Sequence, residues 1–257
     1  MDFYLSVIMQ TLADFMLPMA RITGVFMIMA GLGTRNVPMR VRVVLIVALT
    51  VLVMPVIPPV PNPDLMSFRM VLQVMQQVTI GFAIGFMTMI FINTFIVAGQ
   101  VLATQSGLAF ASMVDPASGV NVAAIGQFYL ILATLLFFVF NGHLITIQML
   151  VLSFDTLPIQ DEWWSVMQIW QMIEFAGWMF ATALSITLAP IIAMLTVNLS
   201  FGIMTRAAPQ LNIFAIGFPI TMLSGLLILW LTMDTFLIHY GIQWQLTLDY
   251  TCRLIGC

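Results

Sequence analysis

Gln105-Ser106-Gly107-Leu108-Ala109-Phe110-Ala111-Ser112-Met113-Val114-Asp115-Pro116-Ala117-Ser118-Gly119 is polar, bracketed by glycine and set between two long apolar runs. Inside a bilayer every backbone N–H and C=O must find a partner, so irregular backbone persists at membrane depth only when buried in protein or lining a passage. A chain that keeps such a segment between apolar helices shapes or guards a path.

The surrounding composition fixes the class. Of 257 residues, 62% are hydrophobic and 7% charged, with a mean hydropathy of +1.11, against about 25% charged residues in an ordinary soluble domain. The chain reads as an all-α, membrane-associated protein. Its first apolar stretch contains Asp14, Pro18 and Arg21 and has no basic region ahead of it, which marks a retained segment and not a cleaved signal. All 7 basic residues are Arg and there is no Lys, so no polybasic patch exists for nucleic acid or anionic lipid. Cys252 and Cys257 are the 2 cysteines. Their spacing fits neither a zinc site nor CxxC chemistry, and it leaves two free thiols or a small disulfide open.

Runs of spanning length, roughly 20 residues each, extend over Tyr4–Ala30, Val41–Val60, Val71–Leu102, Val122–Leu152, Phe175–Phe201 and Leu211–Ile238. About six long, partly kinked helices are expected. Proline and glycine punctuate the connections: Gly31 and Gly33, the cluster Pro55, Pro58, Pro59, Pro61 and Pro63, then Pro158 and Pro209. Alternating the runs gathers Arg35, Arg40, Arg42 and Arg206 on one side with Asp115. The positive-inside rule makes that side cytoplasmic and puts residues Cys252 and Cys257 outside, where a disulfide persists. Trp163, Trp164 and Trp170 read as interfacial anchors.

Charges inside apolar runs carry the chemical information. Asp14, Arg21, Glu174 and Asp234 each cost about 2.5–3.5 kcal/mol if left facing lipid at a helix centre. Asp14 and Arg21 share a helix face but sit about 10 Å apart along the axis, so each is expected to meet another helix or a partner chain. A proton or ion relay is the functional reading of these charges, and structural pairing between helices the simpler one. His143, in Asn141-Gly142-His143, has no Cys or carboxylate at ligand spacing, and no nucleophile–base motif occurs; an enzyme is the weakest class. Gly81 and Gly85 form a G-x-x-x-G that suits close helix approach, within the chain or between chains. Met113 with Leu108 and Phe110 forms either a flexible apolar constriction, which excludes water and yields to a passing chain, or a re-entrant turn that only packs.

The ordered features resemble the FliR family of flagellar biosynthetic proteins, export-gate subunits of type III secretion. The resemblance rests on Arg21, Pro38, Arg42 and Pro55, then Gly81, Gly85 and Gly99-Gln100. It continues through Gly107-Leu108-Ala109-Phe110-Ala111 with Asp115-Pro116, Gly142-His143, Ser153 to Pro158, Pro190 and Asn198. It closes on Arg206 with Pro209-Gln210-Leu211-Asn212-Ile213-Phe214 and Gly217-Phe218-Pro219.

The resemblance implies a non-enzymatic protein without cofactor, a single helical gate domain over residues 1–257 in the bacterial inner membrane at the flagellar basal body. It implies helices arranged as hairpins, like a fusion of a P-type subunit (about residues 1–170) with a Q-type subunit (about 171–257). P- and Q-type subunits join such a chain in a helical channel for unfolded flagellar proteins, with much of the gate above the usual membrane plane. The loop from Ser106 to Asn121 corresponds to the family's plug. On that correspondence Phe110 and Met113 supply the apolar seal, with Leu108 beside them in the plug loop, Gly107 and Gly119 the freedom to open, and Asp115-Pro116 the turn. Asp14, Arg21, Arg206, Gln210 and Asn212 become candidate partner contacts, including with the export switch protein. A related subunit of virulence-type secretion is the alternative, and a secondary transporter using Asp14, Arg21 or Asp234 a more distant one.

Overall fold

Seven helices account for nearly all of residues 2–33, 37–61, 67–109, 123–159, 166–208 and 216–257, which are those the computed structural model describes. They are α1 (Asp2–Ile28), α2 (Met39–Val53), α3 (Phe68–Gln105), α4 (Ala124–Val139), α5 (Gly142–Thr156), α6 (Val166–Ala207) and α7 (Phe218–Ile255). No strand occurs among the described residues. The all-α reading stands, and α1, α3, α6 and α7 are long and apolar enough to cross a membrane.

Two of the six expected runs take a different form, each for a local reason. The second stops at Val53 because Pro55 follows, and proline cannot continue a helix. With 15 residues, α2 is only about 22 Å long, short of the roughly 30 Å hydrocarbon core. The fourth is two helices meeting at 64°. Asn141 adopts a left-handed conformation at φ 56°, and its carbonyl accepts the N–H groups of Leu144 and Ile145 to start α5 afresh. Asn tolerates that conformation better than other non-glycine residues.

Other boundaries follow from caps. Ser67 Oγ accepts the Met70 N–H at 3.3 Å and opens α3, and Gly107, at φ 76°, closes it. Helix α6 ends at Ala207, one residue before the Ala208-Pro209 pair that disfavours further helix.

The residues group into two compact units that interleave along the chain: Met1–Ile90 with Phe137–Phe175 and Leu246–Cys257, and Phe91–Leu136 with Ala176–Gln245. In the first unit α1 and α3 meet backbone to backbone. A Cβ on Gly81 would strike the Arg21 carbonyl, one on Gly24 the Val78 carbonyl, and one on Gly85 would come within 2.7 Å of the Val25 carbonyl. The G-x-x-x-G spacing therefore serves packing inside the chain. Thr88 Oγ1 accepts the Ala30 N–H at 3.0 Å. In the second unit the centre is aromatic. Phe91, Phe95, Tyr129, Phe236, Tyr240 and Trp244 form a chain of ring contacts with centroids 5.0 to 5.5 Å apart.

Candidate functional site

The connection between α3 and α4 is rooted at both ends by packing within the second unit. At its start the Gln105 carbonyl accepts Asn198 Nδ2 of α6 at 3.4 Å. Ser106 is buried and turns its hydroxyl back onto Leu102 O at 2.9 Å. Its Cβ fills the place that a side chain on Gly225 of α7 would take, and Gly107 lies under the Phe218 ring, within 3.0 Å of where its own Cβ would be. At the other end Ala123 and Ile125 are buried, and Gly126 Cα lies 2.8 Å from where a Cβ on Gly99 would sit. Such contacts fix where the segment leaves and rejoins the helices.

Gly107 and Leu108 of the expected plug loop are half-buried at that root. Phe110, Met113, Asp115, Pro116 and Gly119 lie outside the described residues, as do Gln210 and Asn212. Arg206 is exposed in the last turn of α6, where a cation complements the helix dipole.

Arg21 is fully buried and ties three helices together. Its Nε donates to Gln77 Oε1 of α3 at 2.7 Å. Nη1 donates to Ser153 O at 2.6 Å and Ser153 Oγ at 3.1 Å, and Nη2 to Leu157 O at 2.8 Å. The guanidinium also lies over the Phe154 ring, 4.3 Å from its centroid. The two carbonyls belong to the C-terminal end of α5, where unpaired C=O groups and the dipole favour a cation. Pro158 stops that helix, so Leu157 O has no donor from a further turn, while Ser153 O shares its acceptor between Arg21 and the Leu157 N–H. Among the described residues the partners of Arg21 are neutral oxygens.

Asp14 meets a different element, as its axial separation from Arg21 predicts. Its Oδ1 accepts the Val60 N–H at 2.8 Å, while Gln10 Nε2 donates to Val60 O at 2.9 Å and to Asp14 Oδ1 at 3.1 Å. The two side chains clamp both polar groups of one buried residue and hold the proline-rich connector against α1. Both charges are thus satisfied within the chain.

A third feature is uncovered surface. Two thirds (67%) of the apolar window of α3 is buried, against 28% for α6 and 11% for α7. On α6 exposed large apolar residues recur from Met167 through Phe180, Leu188 and Leu195 to Met204. Helix interiors here also carry exposed Gly177, Gly202 and Gly241, with nothing within 4 Å of an added Cβ. Asp234, near the middle of α7, is exposed on the same apolar helix. Sequence reading flagged Asp234 and passed over the three glycines; glycine inside an apolar helix was the available signal.

Residues 12–246 match the family described as bacterial export proteins, family 1. The chain is 37% identical to the flagellar biosynthetic protein FliR of Escherichia coli K12 over 81% of this chain and 80% of that protein. It is 35% identical to the protein of that name from Pectobacterium carotovorum, over 86% and 84%. The protein of that name from Bacillus subtilis is 26% identical over 94% of both.

Proposed function

This chain belongs to the bacterial export proteins, family 1, the family of the flagellar biosynthetic protein FliR, and from that membership we propose its part in the machine. It is a membrane-embedded component of flagellar type III export. Within that apparatus it forms a helical gate in the cytoplasmic membrane together with P- and Q-type subunits, its residues up to about 170 standing as a P-like part and the rest as a Q-like part. The α3–α4 connection closes the path at rest, and unfolded flagellar proteins pass when it moves.

The exposed apolar stripe of α6 carries this reading. From Met167 to Met204 it runs about 55 Å. Even at a tilt of about 40°, the upper end of the usual range, crossing roughly 30 Å of hydrocarbon takes only about 39 Å of helix. The excess needs cover from protein. Asp234 supports the same conclusion, since a carboxylate near a helix centre facing lipid costs about 2.5–3.5 kcal/mol. A partner helix offering a donor removes that cost. The fixed roots of the α3–α4 connection support the plug, because a stopper must be held at its ends while its middle yields.

Native mass spectrometry of the chain, extracted together with its neighbouring gate subunits, tests the assembly. One copy bound to several copies of two smaller hydrophobic proteins is expected, and a lone monomer or homodimer sinks the reading. For the plug, deletion of residues 109–119, which spares the Gly107 cap, is expected to make membranes leak ions. Membranes as tight as wild type would remove that role.

A further inference from the structure

Helix α7 ends in a covalently closed cap. Gly256 has φ 84°, and the N–H groups of Gly256 and Cys257 both return to the Cys252 carbonyl at 2.9 and 3.0 Å. In this kind of helix stop the residue after the left-handed glycine packs against the residue five positions earlier, usually through an apolar contact. Here those two residues are Cys257 and Cys252, their Cα atoms are 4.9 Å apart, and they are joined in a disulfide. The separation lies in the ordinary range for a disulfide, so the cap itself brings the thiols together.

The same turn is firmly seated. Leu254 and Ile255 are fully buried, the Leu254 carbonyl accepts Gln168 Nε2 of α6 at 3.3 Å, and the Tyr250 and Phe175 rings meet at 5.0 Å. These pairs run in opposite directions along the two helices, so α6 and α7 are antiparallel there. Cys257 is exposed, within reach of a macromolecular oxidant.

We propose that Cys252 and Cys257 are a site of enzymatic thiol oxidation, and that the bond places the C-terminal end of α7 and the N-terminal end of α6 on the non-cytoplasmic face of the membrane. Cytoplasmic thiols are held reduced, whereas disulfides persist in the compartment outside the bacterial inner membrane. The alternation of all the runs favours this side, but charge within the α6–α7 hairpin alone does not fix its orientation. Arg206 stands at one end and Arg253 at the other, and the positive-inside rule counts basic residues. The disulfide breaks that tie.

The oxidant is an exported thiol oxidase carrying a reactive disulfide. One cysteine thiolate attacks it to give a mixed disulfide, and the second cysteine displaces the oxidase. The pair loses two electrons and two protons, and the oxidase disulfide is reduced to its dithiol. The inference rests on the cytoplasmic-membrane placement proposed above.

The test uses the full chain with its partner subunits in native membranes. The chain has 2 cysteines, so every thiol label reports on this pair. After denaturing quench with N-ethylmaleimide, a polyethylene-glycol maleimide is expected to add twice, but only if reductant is applied after the quench. In intact spheroplasts, a membrane-impermeant phosphine followed by an impermeant maleimide is expected to label the pair as fully as in lysed cells. Cys257→Ser is expected to leave one free thiol and an unchanged level of membrane-bound chain. In a host lacking the exported oxidase the pair is expected to stay reduced. Two free thiols in wild-type cells, or labelling that requires lysis, would overturn the proposal. Oxidation that persists without the oxidase would overturn the enzymatic step. Fractionation of the same samples separates these results from failure of the membrane placement, which would show as chain outside the cytoplasmic-membrane fraction.

Discussion

Replacing Arg21 by methionine keeps an apolar stem over Phe154 and removes the four hydrogen bonds that join α1 to α3 and to the end of α5. Ser153 O keeps the Leu157 N–H, but Gln77 Oε1 and Leu157 O lose their donor. A buried acceptor left unsatisfied costs about 1–3 kcal/mol, with Leu157, half-buried, at the low end. The lost cation–π contact adds about 1 kcal/mol. Relief from burying a charge offsets part of this, which leaves a net loss of about 2–4 kcal/mol. For a chain of this size each kcal/mol lowers Tm by about 2–4 °C, so a fall on the order of 10 °C is expected. Thermal unfolding of the detergent-extracted chain reads it, alongside the steady-state amount in membranes. Arg21→Lys places one ammonium where three directions must be served, and about half the loss is expected. A Tm within 2 °C of wild type for Arg21→Met, or full retention by Arg21→Lys, would refute the view that the guanidinium fork holds these helices together.

Gln77→Glu gives the buried guanidinium a counter-charge and removes Gln77 Nε2, which is buried without a partner among the described residues; a rise in Tm of a few degrees is expected, and a fall would show that desolvating the carboxylate wins. Gly81→Ala drives a Cβ into the Arg21 carbonyl, so α1 and α3 must separate, and the amount of folded chain in membranes is expected to drop at least as far as for Arg21→Met. Gly177→Ala, Gly202→Ala and Gly241→Ala meet open space. Each is expected to stabilise the isolated chain by up to about 1 kcal/mol while lowering recovery of the hetero-oligomer, and unchanged recovery would argue that no helix packs there. Asp234→Asn is expected to leave the free chain unaltered and to weaken its capture by partner subunits, measured by co-purification.

Much of this arrangement was legible in residue spacing. A separation of seven residues from Asp14 to Arg21 meant separate partners, and the structure supplies Val60 for one and Gln77 with Ser153 and Leu157 for the other. Gly81 and Gly85 announced a close helix contact, and the partner is α1. Hydropathy alone misjudged several boundaries, among them the fifth run, expected over Phe175–Phe201 where α6 covers Val166–Ala207. It ran through Pro55 because the residues around it are apolar, and through Asn141-Gly142 because a single left-handed residue barely changes a window average. It ended the last run at Ile238, whereas α7 continues to Ile255. There the buried stripe is Tyr240, Gln243, Thr247, Thr251 and Leu254, a helical period carried partly by polar residues that lower the hydropathy while keeping the face.

The largest gap between sequence and structure concerns what covers an apolar helix. Helices α3, α6 and α7 all qualify as spans by length and composition, yet their buried shares fall from 67% to 28% to 11%. Hydropathy measures what a side chain avoids, and water is avoided equally well in lipid, in a core or against another subunit. The distinction lies in residues that lipid tolerates poorly or does not need. A methylene chain gains nothing from a glycine, yet glycine weakens the helix, so Gly177, Gly202 and Gly241 make sense where a backbone must come close. A carboxylate such as Asp234 needs a donor that hydrocarbon lacks. Helix α3 carries no carboxylate, and its glycines at 81, 85 and 99 are already filled by contacts with α1 and α4. The same device that packs α3 internally is left unfilled at Gly177, Gly202 and Gly241 among the described residues, which supports the proposal that helices of other subunits cover the open faces of α6 and α7.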